Sequence, residues 1–231
     1  MVVQTGDLTA SGTAAQFSVG QTYFFKRSVF DIPGNHDLWS RSAPRDHAAF
    51  TSHYGGHYPR RDSIRTKRGS VHLYGLDSNR SSLLNHRMAN GEIPTETIRS
   101  VCEEMRRNAS PTAVQVVCLH HPLTDGPEPN LSGTMGLQDC EKIATEFSQA
   151  GAGVILAGHV HRQRACLHQG MLHLTAASLC QAGEQPSFWL LDFYRSRVKY
   201  THFEVPSGAI HFVPVESKSG EHVLGRSPER R

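Results

Sequence analysis

The chain has 231 residues, 24 Lys and Arg against 21 Asp and Glu, a formal net charge of +3, and 15 histidines. Charged residues at 19% and hydrophobic ones at 38% exclude a disordered or membrane composition, and the slight basic balance is too weak to argue for nucleic acid without a clustered patch. Five widely spaced cysteines, Cys102, Cys118, Cys140, Cys166 and Cys180, without a C-x-x-C pair, exclude a disulfide framework or zinc ribbon and fit a reducing compartment.

The opening MVVQTGDLTA has no basic n-region and no long apolar run, so it does not read as a signal peptide. No apolar run approaches the ~20 residues of a membrane helix, and the expected location is the cytoplasm. Val2 to Thr5 reads as a short buried strand and Thr13 to Arg27 as a helix weakened by Gly20. Ser28 to Ile32 is a second strand, stopped by Pro33-Gly34. Asp46 to Tyr54 reads as a short helix capped by Asp46. Gly55 to Gly69, rich in Arg, Gly and Pro, reads as a loop. Val71 to Leu76 is a strand. Thr95 to Arg107 is a helix with Thr95 as N-cap and Ile98, Val101, Cys102 and Met105 on one face.

Ala113 to Leu119 is a buried strand, Leu137 to Ala150 a helix closed by Gly151, and Gly153 to Ala157 another buried strand. Four strands follow, at Gln163–Leu167, Met171–Ala176, Phe188–Tyr194 and Val198–Val205. Residues 1–215 are expected to form one domain, and the polar stretch 216–231 a disordered tail. Alternating strands and helices followed by strands predict a layered α/β protein with mixed sheets.

Four strand ends carry chemistry: Gly6-Asp7, Gly34-Asn35-His36-Asp37, His120-His121-Pro122 and Gly158-His159-Val160-His161. Each follows a short apolar strand, and ligands gather at the carboxyl ends of such strands. Each motif alone has an ordinary structural reading, as turn chemistry or a strand-end histidine. Their order and common placement make coincidence a poor explanation.

The set resembles the calcineurin-like metallophosphoesterase superfamily, over residues 1 to about 205. The stretch from Tyr54-Gly55-Gly56 to Tyr74-Gly75-Leu76-Asp77-Ser78 is similar to its cyclic-nucleotide phosphodiesterase-like branch. The resemblance implies a four-layer αββα sandwich of two mixed sheets. It also implies a two-metal centre whose ions, about 3.5–4 Å apart, clamp a phosphoester. Asp7 would bridge the ions. Asn35, His120 and His159 would complete one site, and His161 would serve the other. His120 is preferred to His121 because it stands two residues before Pro122. His36 would be the general acid, with Asp37 orienting its imidazole. Oxygen and nitrogen ligands without thiolate suit Mn, Fe or Zn.

The family's opening Asp-x-His motif is absent, since no Asp in the chain has His two residues on. Asp7 comes too early for a preceding strand and loop. The fold is therefore expected to lack its first strand, as an N-terminally incomplete chain with exposed strand edges. One ion keeps four ligands, and the other keeps only Asp7 and His161. The expected function is metal-dependent hydrolysis of a small-molecule phosphodiester or phosphomonoester, impaired by that loss, with a catalytically inactive binding or scaffold module as the alternative. No membrane partner is expected, and nucleic acid ranks last, because no aromatic platform or dense basic stripe is present. The other histidines (His47, His53, His57, His72, His86, His168, His173, His202, His211, His222) show no ligand spacing. Arg60, Arg61, Arg65, Lys67 and Arg68 read as a solvated charge run.

Overall fold

The computed structural model describes residues 1–24, 26–38, 47–55, 58–66, 69–79, 90–124, 136–179 and 185–224. In chain order the elements are β1 (Val2–Thr5), α1 (Ala14–Tyr23), β2 (Val29–Ile32), α2 (Asn35–Leu38), α3 (His47–Tyr54), β3 (Arg60–Thr66), β4 (Gly69–Gly75), α4 (Thr95–Asn108), β5 (Ala113–Cys118), α5 (Cys140–Gln149), β6 (Ala152–Ala157), β7 (Arg164–His168), β8 (Met171–Thr175), β9 (Ser187–Phe193), β10 (Arg197–Glu204) and β11 (Val213–Val223).

The central layer is a six-stranded mixed sheet in the order β3-β4-β5-β6-β8-β7. Its four inner strands are parallel, and β3 and β7 flank them antiparallel. Side chains alternate along a strand, and here both faces are buried. Val114, Val116 and Cys118 of β5 point to one core, while Val117 points to the other. That double burial is why β5 reads as an unbroken apolar run. One face is covered by α4, through Ile98, Val101, Cys102 and Met105, and by α5, through Ile143, Ala144 and Phe147. The opposite face carries Phe30 and Ile32 of β2 and Val198 of β10, with Val3, Trp189 and Leu191 packed around them. Phe17 of α1 meets Phe50 and Tyr54 of α3 in a third, smaller cluster.

The expected α/β sandwich is the one observed, with one refinement. Among the described residues its second sheet layer comes in two parts, the parallel pair β1-β2 and the antiparallel trio β11-β10-β9. They share a core and no ladder. Two expectations are corrected. The segment read as a loop contains β3, an edge strand whose register against β4 runs from Arg60 opposite Gly75 to Thr66 opposite Gly69. Edge strands tolerate charge. Arg60 pairs with Asp31 and Arg61 with Glu104, so their charge did not signal a loop. Lys67 and Arg68 lie outside the described residues.

The second correction concerns the polar tail. Residues 213–223 form β11 along β10, with a register break between Tyr200 and His202. Ser219 closes that break, accepting the His202 amide at 3.1 Å and donating to the Val215 carbonyl at 2.7 Å. A polar edge strand lacks the apolar alternation that reveals a half-buried one. Residues 225–231 lie outside the described ones. Helix starts also shift. Thr13 caps α1 as its side chain accepts from Gln16, but Pro94 rather than Thr95 precedes α4, and left-handed Asp139 delays α5 to Cys140. Among the described residues no helix is long and apolar enough to cross a membrane.

His173 on β8 is 4% exposed. Burial, then the nearby His168 and Arg164, push its imidazole down to about 3. The unfolded chain, with an ordinary histidine value of about 6.5, takes up a proton that the fold refuses, so stability falls as pH drops through that window. Thermal melts of His173→Gln should show a shallower loss of stability than wild type between about pH 6.5 and 4. Identical slopes would place the acid sensitivity elsewhere.

Candidate metal centre

Parallel strands deliver their carboxyl ends to one rim. Asp7 follows β1, Asn35 to Asp37 form α2 after β2, His120 and His121 follow β5, and His159 and His161 follow β6. The Nδ1–H of His120 donates to the Thr5 carbonyl at 2.8 Å. That bond turns Nε2, with its lone pair, into the rim. There Nε2 lies 3.0 Å from Asn35 Oδ1, 3.1 Å from His159 Nδ1 and 3.4 Å from Asp7 Oδ2. His159 Nδ1 is also 3.0 Å from Asn35 Oδ1. Four oxygen and nitrogen atoms thus face one another at ligand spacing, an arrangement that a cation between them satisfies. Asp7, His120 and His159 each offer a ligand atom within 4.8 Å of the others. This donor set, oxygen and nitrogen without sulfur, fits a divalent ion of the Mn, Fe or Zn kind.

The backbone is bent to achieve this. Asp7, His159 and His161 all have left-handed φ values, of 56°, 69° and 53°. Such conformations are costly for residues with a Cβ and cluster at functional sites. Gly34 makes room for the carboxylate: a Cβ there would lie 2.1 Å from Asp7 Oδ1 and 2.2 Å from Asp7 N. The His36 amide donates to that Oδ1 at 2.9 Å. Burial opposes ionisation of Asp7, but the His120 imidazole beside it, and then His36, outweigh burial and hold its pKa at about 2. Burial likewise opposes a charged His120, and the Asp7 carboxylate overrides it and raises its pKa.

Four of the expected ligands, Asp7, Asn35, His120 and His159, meet at this point. His161 falls outside the Asp7–His120–His159 group. His121 is the inner neighbour. It is fully buried, with Nδ1 bonded to Ser78 Oγ at 2.9 Å. Asp37, expected to orient the His36 imidazole, has other partners here. Its carboxylate accepts from the amides of Leu8, Thr9 and Gly34, from the Thr9 hydroxyl and from the Tyr54 hydroxyl at 2.8 Å. Asp37 is therefore the clasp joining the Asp7 loop, α2 and α3. It is the Ala10 carbonyl that accepts from His36 Nδ1, at 3.3 Å.

Thr9, Tyr54 and Ser78 were missed as supports of the site. Ser78 and Tyr54 lie in the Leu76-Asp77-Ser78 and Tyr54-Gly55-Gly56 stretches, so the signal existed without an assigned task. Among the other histidines, His53 stacks on Phe17 at 4.9 Å, and His202 is buried beside Trp189. His57 and His86 lie outside the described residues.

Asp37 and His36 should therefore separate on substitution. Asp37→Ala strands five donors and should destabilise the chain by about 3 kcal/mol or more in denaturant melts. His36→Ala should stay within about 1 kcal/mol of wild type. Equal losses would remove the distinction between clasp and surface imidazole.

The comparisons with known proteins follow the same lines. The chain is similar to a dimetal phosphatase from Danio rerio, with a TM-score of 0.65, 14% identity, and coverage of 97% of this chain and 83% of that one. It is similar to the phosphopantetheinyl hydrolase of Mycobacterium tuberculosis, with a TM-score of 0.52, 14% identity and coverage of 76% and 78%. It is also similar to the inner-membrane-complex anchor GAP50 of Plasmodium, with a TM-score of 0.50, 10% identity and coverage of 87% and 67%. At these identities the likeness is one of fold. No curated protein matches by sequence. The sequence model of the calcineurin-like phosphoesterases matches residues 1–163, which takes in all four motif-bearing strand ends, and the chain belongs to that family.

Proposed function

We propose that this chain hydrolyses small-molecule phosphoesters at the centre formed by Asp7, Asn35, His120 and His159. The carrying observation is the convergence of Asp7 Oδ2, Asn35 Oδ1, His120 Nε2 and His159 Nδ1 on one point at ligand spacing. A divalent ion held there supplies positive charge that acidifies a water nucleophile and neutralises phosphoryl oxygens in the transition state.

The chain's own residues do the rest. Asp7 stays ionised under the influence of His120 and His36 and anchors the cation's charge. Asn35 adds a neutral oxygen that cannot be protonated away. The Thr5 carbonyl fixes the tautomer of His120, so that its Nε2 always faces inward. His36 stands at the edge of the centre, with Nδ1–H on the Ala10 carbonyl. Its Nε2, in the charged form, carries the proton that passes to the leaving alkoxide. For a second ion the motifs within the described residues offer Asp7 and His161, too few for tight binding. The proposed enzyme therefore works with one tightly held ion and turns over slowly. Cys102, Cys118 and Cys166 are free thiols, which supports a reducing compartment such as the cytoplasm.

Hydrolysis of an aryl phosphodiester and an aryl phosphomonoester with added Mn tests this reading. Wild type should turn over at least one of them. Asp7→Asn and His159→Ala should each lose about 100-fold or more, and His36→Ala about 10- to 100-fold in kcat with KM little changed. Equal and negligible turnover in wild type and all variants would overturn the enzyme and favour a binding module on the same fold.

A further inference from the structure

His121 touches both ligand imidazoles, yet no step above uses it. Its ring centroid lies 4.4 Å from that of His159, tilted by 48°, and 5.0 Å from that of His120, nearly perpendicular at 85°. The residue is 0% exposed. Burying an imidazole so completely is costly unless its polar atoms are met. Only one side of this ring is met. Nδ1 bonds Ser78 Oγ at 2.9 Å, and Nε2 is buried without a hydrogen-bond partner. The same Ser78 oxygen accepts the His121 amide at 3.2 Å. Backbone and ring of His121 are thus both fastened to one hydroxyl.

A third wall completes the seat. A Cβ on Gly91 would lie 2.5 Å from His121 Cγ, so only glycine lets the ring fit there. Gly91 forms an isolated bridge with Asn79, and the Ser78 carbonyl accepts from Glu92 at 2.9 Å. Latch and wall therefore belong to one crossing of two segments. The ring held there leans on His159, whose left-handed φ of 69° is a backbone conformation that side-chain-bearing residues rarely adopt. Such a backbone persists only where its surroundings hold it.

The geometry points to His121 as a positioning residue: latched by Ser78 and backed by Gly91, its ring fixes the angle of the His159 imidazole and so the affinity of the centre for its ion. This rests on the metal-centre reading above. It differs from simple cavity filling in one respect. A filler works in any residue of similar volume, whereas a latched ring works at one angle and needs Nδ1.

The test is titration of Co(II) into the full chain, followed by its visible spectrum, in wild type, His121→Phe, Ser78→Ala and His173→Gln. His121→Phe keeps ring volume and loses Nδ1, and Ser78→Ala removes the latch with little change in packing. Both should weaken Co(II) binding about 10- to 100-fold and shift the ligand-field bands, while His173→Gln matches wild type. If His121→Phe does not fold, by far-ultraviolet circular dichroism without metal, Ser78→Ala decides the question. Wild-type affinity and spectrum in Ser78→Ala would overturn the proposal while leaving the centre standing. Absence of Co(II) binding in wild type would overturn the centre and the proposal together.

Discussion

The Asp7 carboxylate occupies space that any side chain on residue 34 would fill, and the rest of the site is arranged around that close approach. β1 and β2 run parallel with Val2 opposite Val29 and Thr5 opposite Ile32, so their ends emerge side by side. The Asp7 loop and the start of α2 then collide unless residue 34 lacks a Cβ. Once they meet, the amide of His36 binds one carboxylate oxygen and His120 approaches the other. The β5 and β6 ends, in parallel register from Val116 opposite Val154 to Cys118 opposite Leu156, bring up the two imidazoles. The family's four motifs are thus one physical object, the carboxyl rim of parallel strands.

Two carboxylates near that rim, Asp7 half-buried and Asp37 buried, have opposite fates. Asp7 has its pKa lowered because cationic and amide partners outweigh burial. Asp37 has its pKa raised, chiefly by burial and then, against the help of the Gly34 amide, by the Asp7 charge. The difference lies in what each faces. Asp7 faces the His120 and His36 imidazoles, whereas Asp37 faces amides and hydroxyls. A carboxylate surrounded by such donors serves as a structural tie, and Asp37 ties Leu8, Thr9, Gly34 and Tyr54 into one unit. In the proposed function the proton transfer falls to the adjacent His36.

Much of this was readable from residue order. Apolar runs such as Ala113–Leu119 and Gly153–Ala157 announce doubly buried strands, and the polar residues that end them announce the rim. The convergence of Asp7, Asn35, His120 and His159 was legible because their motifs end neighbouring parallel strands. The partner of His36 was not, because a backbone carbonyl such as that of Ala10 leaves no mark in sequence. The clasp on Asp37 was hidden for a related reason: Tyr54 is 17 residues away and Thr9 is 28. Edge strands β3 and β11 were missed because solvated edges carry charge instead of alternation. The division of the second sheet layer, likewise, is a matter of which strands pair, and pairing is long-range.

The central claim is that four ligand atoms on three loops and α2 form one good cation site, with His161 left outside it. Equilibrium dialysis of the purified chain against Mn(II), with metal counted per chain, tests it most directly. One tightly held equivalent, lost in His159→Ala and in Asp7→Asn, is the predicted result. Two tightly held equivalents, or one that survives both substitutions, would contradict it.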